Sequence, residues 1–358
     1  MDINTSLYYQ TALALKVPTS KIEDIAGFAV KLSNRRYFFR GTETPFNCGS
    51  SLGIAGNKYC MNKILGAAGI PVPKTIAYSE EEFKKYHIDI LIENLNFPLV
   101  IKPTKGTGLG LDVLCNITNS VQLKKHMSNL YKRHRFLSIE EFHSGLNSYR
   151  VLVFYNKVIG VTQRFSAQVV GDGIHTIREL IAISNIERKK LKATVSLGPI
   201  KVDEEYKIRL NELGLTLESI PKDKESIVLC YVCNSTRGGT MHSLGKTICK
   251  ENARLCCQAA RALDLNIVGF DVMCEDILIP IEKSRGLIIE ANHNPDISIH
   301  ENPLTGIRNR VSMIILRRLI LKHPISYLIG LYKDRSSAVY IKTSLLFFSL
   351  LAGKLFLT

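Results

Sequence analysis

Two apolar runs in the last third of the chain carry polar groups at matching places, and that pairing limits the fold more than any other feature. Ile267 to Cys274 reads IVGFDVMC, with Asp271 inside it, and Gly286 to Ala291 reads GLIIEA, leading through Glu290 to Asn292. Short runs of this kind, rich in β-branched residues and bounded by turn signals, are buried strands. Residues two apart on a strand share a face, so Glu290 and Asn292 can converge on one ion, and Asp271 on a neighbouring strand supplies a third oxygen. An all-oxygen set suits a hard cation, Mg²⁺ or Mn²⁺, bound together with phosphates. The alternative is a pair of strand ends that simply meet solvent. The apolar residues before them and the sharp stop at Asn292-His293-Asn294-Pro295 weigh against it.

Upstream, strands and helices alternate. Lys58 to Gly69 reads as a helix closed by glycine, and Ile70 to Pro73 as extended backbone. Ser79 caps a helix with an acidic first turn, and Phe97 to Pro103 is a buried strand. Val121 to Lys132 is a basic amphipathic helix and Phe136 to Glu141 a strand. Tyr149 to Tyr155 and Val158 to Arg164 form a hairpin around Asn156-Lys157. Gly171-Asp172-Gly173 turns into a helix capped by Thr176, residues 184 to 226 are a polar and charged insertion, helical or loop, and Ile227 to Cys233 is a strand. Helix Glu251 to Leu263 precedes the two strands described first. The expected class is mixed, α+β or α/β, in three parts: a small N-terminal cap over 1–55, a core over 56–323 and an apolar tail over 324–358. The cluster from Arg35 to Arg40 is an amphipathic strand of the cap rather than a base-stacking patch, since nothing nearby extends it.

The 358 residues carry a net charge of +15, which calls for anionic partners. The basic residues are dispersed and no nucleic-acid motif is present, so small anionic substrates are expected rather than nucleic acid. Nine cysteines, an odd and scattered set, and a start without a basic-then-apolar leader indicate a reducing cytoplasm. The uncharged run from Thr343 to Gly353 is shorter than the ~20 residues of a spanning helix. It reads as a helix docked on the body or a partner, with peripheral membrane contact as the alternative.

Lysines complete the phosphate-binding expectation. Lys102 ends an apolar strand, where a charge needs an anion to justify its burial. The loop Lys105-Gly106-Thr107-Gly108-Leu109-Gly110 can turn backbone N–H groups toward phosphate oxygens. Its spacing is not that of a dinucleotide fingerprint, and Gly245-Lys246-Thr247 lacks the glycine and strand of a P-loop. Cys230 and Cys233 have no second pair, and a strand would put them on opposite faces, which argues against zinc. His293 and His300 flank the carboxylate segment as substrate contacts, zinc ligands or surface residues.

The segments NKYCMNKILGAAGIPVPKT, FPLVIKPTKGTGLG, IEEFHSG, YRVLV, VVGDGIHTIRELI, AARALDLNIVGFDVM and LIIEANHNP stand in the order found in ATP-grasp ligases. Over residues 55 to 320 the chain resembles that family, closest to the ATP-grasp domain of cyanophycin synthetase, with the ligase half of bifunctional glutathione synthetases next. The resemblance implies two α+β subdomains gripping ATP, and a carboxylate–amine ligase that works through an acyl phosphate. It implies Lys58 and Lys102 on the ATP phosphates, Gly106 to Gly110 as a lid over them, Glu140 at the hinge beside adenine and ribose, and Lys105 and Glu141 as further ATP-binding residues. Asp271, Glu290 and Asn292 become magnesium ligands. Arg150, Arg164 and Arg237 become catalytic cations, and Asp296 and His300 substrate contacts. Amino acids or peptides are the implied substrates, and a homo-oligomer is a further expectation. Ligases acting on a peptide or protein, or a nucleotide-binding module without turnover, are the rival readings. Departures from the pattern fall near the substrate: Ser148 where Asp is usual, Arg237 before Gly238-Gly239, Asp296 where Gly is usual, and a shorter glycine loop.

Overall fold

A computed structural model of the protein describes residues 1–105, 111–191, 195 and 197–356. Contacts divide the chain into two compact units, Met1–Pro45 with Arg310–Thr358, and Phe46–Asn309. Helix α1 (Ile3–Ala14) starts on Asp2, whose carboxylate accepts from Thr5 N at 3.0 Å. A meander of β1 (Thr19–Ile22), β2 (Gly27–Leu32) and β3 (Arg35–Phe39) follows. On β3 Phe38 is exposed and Phe39 buried, the alternation expected of the basic-aromatic cluster.

The second unit begins with α2 (Gly49–Ala55) and α3 (Lys58–Ala67). Asn57 caps α3 by accepting from Tyr59 N and Cys60 N, and Gly69 leaves it at φ +73°, a conformation glycine adopts without strain. Strand β4 (Thr75–Ser79) runs into α4 (Glu80–Lys85) through a capping box between Ser79 and Glu82. Next come α5 (Ile88–Leu91), β5 (Leu99–Pro103), β6 (Leu114–Ile117), α6 (Ser120–Leu130) and β7 (Phe136–Glu141). The four strands form an antiparallel sheet in the order β4-β7-β5-β6. Leu99, Ile101 and Ile139 of the sheet bury Leu123 and Met127 of α6.

A larger sheet follows: β8 (Asn147–Phe154), β9 (Lys157–Phe165), then, after an excursion, β12 (Thr240–Gly245), β13 (Ile267–Cys274), β14 (Gly286–Asn292) and β15 (Thr305–Ile307). Its order is β14-β13-β8-β9-β12-β15. The excursion holds the two-stranded pair of β10 (Gln168–Val170) and β11 (Ser226–Val228) with α7 (Ile177–Leu191) and α8 (Glu204–Glu212). Helices α9 (Lys250–Ala262) and α3 pack Cys256, Ala260, Met61 and Leu65 on Val151, Phe270 and Ile288 of the large sheet. The short α10 (Ser298–Glu301) leads to β15.

Two local expectations need correction. The hairpin turns at Tyr155-Asn156, one residue early, because those two residues take positive φ and so match the strands' twist. The strand expected over Ile227 to Cys233 ends at Val228, so Cys230 and Cys233 lie beyond it and face-alternation does not apply. All nine cysteines are free thiols.

The chain closes with α11 (Val311–Lys322), α12 (Pro324–Lys333) and α13 (Arg335–Phe356) in the first unit. They bond to the N-terminal segment: Tyr37 Oη to His323 Nε2 at 2.6 Å, Thr11 Oγ1 to Ser312 Oγ at 2.7 Å, and Tyr327 Oη donating to Leu15 O at 2.8 Å. The N-terminal cap and the apolar tail, separate in the sequence reading, thus share one contact unit, with boundaries at 45/46 and 309/310. Among the described residues no helix is long and apolar enough to cross a membrane.

Candidate active site

The second unit contains a cavity of about 200 Å³ whose walls come from both sheets. From the smaller sheet come Val100 and Lys102 of β5, Cys115 of β6, and Glu140 and Glu141 of β7. Lys102 Nζ lies 2.7 Å from Glu140 Oε2, with both side chains less than 10 % exposed at 8 % and 4 %. The neighbouring β5 and β7 make this pair, Val100 standing opposite Glu140 and Lys102 opposite Ser138. The counter-charge built into the next strand offsets part of the cost of burying this ammonium. Asn62 Nδ2 and Ser138 Oγ approach the other Glu140 oxygen, both at 3.4 Å. Glu141 Oε1 accepts from Asn96 N and Nδ2, at 3.0 Å each.

The larger sheet supplies the opposite chemistry. Asp271 on β13 faces Arg150 on β8 and Glu290 on β14 in direct register. Arg150 Nε donates to Asp271 Oδ1 at 2.6 Å, and Arg164 Nη2 to Oδ2 at 2.9 Å. Burial opposes ionisation of Asp271, but the two guanidiniums outweigh it and hold the carboxyl below its usual range. Arg164 Nη2 also donates to Ser148 Oγ at 3.1 Å, so the serine in the usual aspartate position is part of the same cluster. Lys58, first residue of α3, puts Nζ 3.5 Å from Glu290 Oε1, and its backbone N donates to Thr104 O at 3.1 Å. That bond ties the start of the helix to the end of β5.

Among the described lining residues, Lys58, Lys102, Arg150 and Arg164 balance Glu140, Glu141, Asp271 and Glu290. The donor set suits a divalent cation. Glu290 is one-third exposed, and Asn292 shares its face of β14. Both Asp271 oxygens hold an arginine, yet an ionised carboxylate keeps lone pairs beyond one bond per oxygen. The buried Asn292 Nδ2 and Arg164 Nε have no hydrogen-bond partner among the described residues, which leaves donors available inside a charge-balanced cavity. Among those residues there is no cluster of three or more His, Cys, Asp or Glu.

Residues 55–172 match the model of a RimK-like ATP-grasp domain. Cyanophycin synthetase of Crocosphaera subtropica is 31 % identical over 271 residues, 74 % of this chain and 30 % of that protein. The chain contains an ATP-grasp domain of the RimK-like kind. The glutathione biosynthesis bifunctional protein of Enterococcus faecalis is 30 % identical over 279 residues, covering 74 % of this chain and 35 % of that one. The crystal structure of a bifunctional glutathione synthetase from Pasteurella multocida superposes with a TM-score of 0.60 at 23 % identity. It covers 90 % of this chain and 44 % of that one, and shows the fold. The chain spans about a third of the length of the curated relatives it matches.

Of the residues singled out from sequence, the ATP-grasp core places Lys58, Lys102, Glu140, Glu141, Arg150, Arg164, Asp271, Glu290 and Asn292 around the one cavity. Glu140, expected beside adenine and ribose, has its carboxylate on Lys102. Lys105 is exposed and is not a lining residue, and Gly106, Gly108 and Gly110 lie outside the described residues. Three others stand apart from the lining. Arg237 is buried and ion-paired with Asp203 and with Glu205 Oε2, the latter at 2.9 Å. Asp296 accepts from Ser298 N and Oγ at the start of α10. His300 is fully buried, with Nδ1 3.0 Å from Thr162 Oγ1; burial, then the nearby Arg150 charge, push it down to about 3. A Cβ at Gly160 would meet its ring at 2.7 Å, so glycine there makes room for the imidazole.

Sequence reading missed the wall formed by Tyr231, Val232, Cys233 and Asn234. It also missed Glu205, whose Oε1 accepts from Tyr231 N and Val232 N at 2.9 Å each. Glu205 lies in the charged 184–226 stretch, where an N-cap aspartate two residues before it was the one signal of an ordered helix.

Proposed function

We propose that the chain is an ATP-dependent carboxylate–amine ligase that makes an amide or peptide bond through an acyl phosphate. What supports it is the juxtaposition of the buried Lys102–Glu140 pair on one sheet with the Asp271–Arg150–Arg164 cluster on the other, across a single cavity. Lys102 and Lys58 bind the phosphates, their positions fixed beforehand by Glu140 and Glu290. Fixed cations need no reorganisation as charge moves, which is what phosphoryl transfer asks of a protein. Glu290 and Asn292, with Asp271, would hold a divalent cation, which when bound neutralises phosphate charge.

In the proposed reaction a substrate carboxylate oxygen attacks the γ-phosphorus of ATP, and the bond to the bridging oxygen breaks to release ADP. An amine then attacks the acyl carbon, inorganic phosphate leaves, and the amine loses a proton. Arg150 and Arg164, fixed by Asp271, face the carboxylate and the transferred phosphoryl group. Val100, Cys115, Ile289 and Leu287 give the cavity an apolar portion suited to a nucleobase. Amino acids or short peptides are the proposed substrate class, after relatives named for cyanophycin and glutathione synthesis. ADP release against a panel of amino acids and short peptides, with Mg²⁺ present, tests the reading. Saturable ATP binding with no ADP release from any pair would replace it by a nucleotide-binding module.

A further inference from the structure

The C-terminal helices of the first unit expose an apolar surface that their own unit leaves uncovered. On α12, Ile325, Leu328, Ile329 and Tyr332 recur at helical spacing, and each is between 51 % and 73 % exposed. On α13, Val339, Tyr340, Leu346, Phe347 and Leu350 form a second stripe, each between 60 % and 76 % exposed. Helix α12 buries none of its residues. The two helices pack together, and Lys342 Nζ lies 5.4 Å from the centre of the Tyr332 ring. Scattered exposed apolar residues need no explanation, but two adjoining stripes do.

Charge names the occupant. From Arg310 to Thr358 there are eight Lys or Arg residues against one acid, Asp334. Asp334 is already engaged, accepting from Lys16 Nζ at 3.1 Å and from Ser337 N at 3.1 Å. Lys342, three residues after Val339 and four before Leu346, borders the α13 stripe, where its stem can lie on apolar surface with the ammonium outside. A second copy of this chain placed symmetrically would bring the same cations against one another. A bilayer with anionic headgroups offers an apolar layer and counter-charges together. Three aromatic rings, Tyr332, Tyr340 and Phe347, are of the kind that settles at the headgroup boundary.

We propose that α12 and α13 lie in the surface of an anionic membrane and hold the protein there without crossing it. The test is flotation of the full chain with phosphatidylcholine vesicles and with equimolar phosphatidylcholine–phosphatidylglycerol vesicles, at low and high salt. The expected result is at least about tenfold more protein on the anionic vesicles, with the excess lost at high salt. The double variant Leu346→Glu/Phe347→Glu should abolish flotation, and Ile325→Glu/Ile329→Glu should do the same from the other helix. These side chains are exposed, so circular dichroism and thermal unfolding should match the parent. Equal flotation on both vesicle types, or flotation unmoved by either variant, would overturn the proposal. So would a vesicle-free dimer that these variants dissociate, since a second copy would then cover the stripes. None of these readouts depends on ATP turnover.

Discussion

Asp271 lines the cavity and Glu205 stands behind its wall; both are carboxylates nearly removed from water, at 4 % and 2 % exposure. Their partners differ. Asp271 has a guanidinium on each oxygen, from Arg150 and Arg164. Glu205 has Arg237 on one oxygen and two backbone N–H groups on the other, and it shares that arginine with Asp203. Burial raises both acids; two guanidiniums overcome it for Asp271, whereas Glu205 stays above the ordinary range despite Arg237 and the amides. Nearly equal burial therefore yields a locked anion in one place and a reluctant one in the other. The locked anion orders the cations of the site. The reluctant one orders backbone at Tyr231 and Val232, a task its oxygens perform in either protonation state.

Removing the locked anion should have the largest effect. Asp271→Asn leaves two buried guanidiniums facing a neutral amide, and breaking a buried pair in this way costs about 3–5 kcal/mol. Urea unfolding should report that loss, and ADP release should vanish with it. If stability and turnover both stayed near the parent's, Asp271 would not be the centre the comparison makes it.

Glu290→Gln separates chemistry from stability. Glu290 is one-third exposed, and its ion pair with Lys58 is long, at 3.5 Å, so the fold should be unchanged by thermal unfolding. Turnover should fall by about a hundredfold or more, the scale of removing one positioned charge-stabilising group. Near-normal ADP formation at saturating magnesium would remove Glu290 from the proposed ion site. Lys102→Met comes next: ATP affinity measured by calorimetry should drop roughly ten- to a hundredfold, because a charge-assisted contact is worth about 1.5–3 kcal/mol. Lys58→Met should act in the same direction. Unchanged dissociation constants for both would move the nucleotide elsewhere.

The same contrast explains what could be read from sequence. Asp271, Glu290 and Asn292 were visible because each interrupts or ends an apolar strand, and period-two spacing places Glu290 and Asn292 on one face. Lys102 was visible for the same reason, as a charge ending an apolar run. Glu205 was not, because a charged residue in a charged stretch looks solvated until a distant segment covers it. Arg237 was expected at the substrate and is instead neutralised by Asp203 and Glu205. His300 has no local mark of burial; its closeness to Gly160 and Thr162 depends on how α10 meets β9. The union of the first 45 residues with the last helices rests on bonds such as Tyr37 to His323, between segments far apart in the chain, and no periodicity encodes those.

The smallest expected effect is the one that sharpens the comparison most. Glu205→Gln keeps an acceptor for Tyr231 N and Val232 N, and Arg237 keeps Asp203, so the cost near neutral pH should stay at about 1–2 kcal/mol. Its pH dependence carries the information. The folded chain binds the Glu205 proton more tightly than the unfolded chain does, because the folded value is raised, first by burial. Such a group contributes stability that is fully present below the unfolded carboxylate's pKa and is lost as pH rises through the raised folded value. Glutamine cannot titrate, so the stability of the parent minus that of Glu205→Gln should be greatest in acid and should fall to a plateau as pH rises. Urea unfolding of both proteins across that range measures it. A difference that grew with pH instead would mean that Arg237 and the two amides hold Glu205 ionised, as Arg150 and Arg164 hold Asp271, and the contrast between the two carboxylates would be gone.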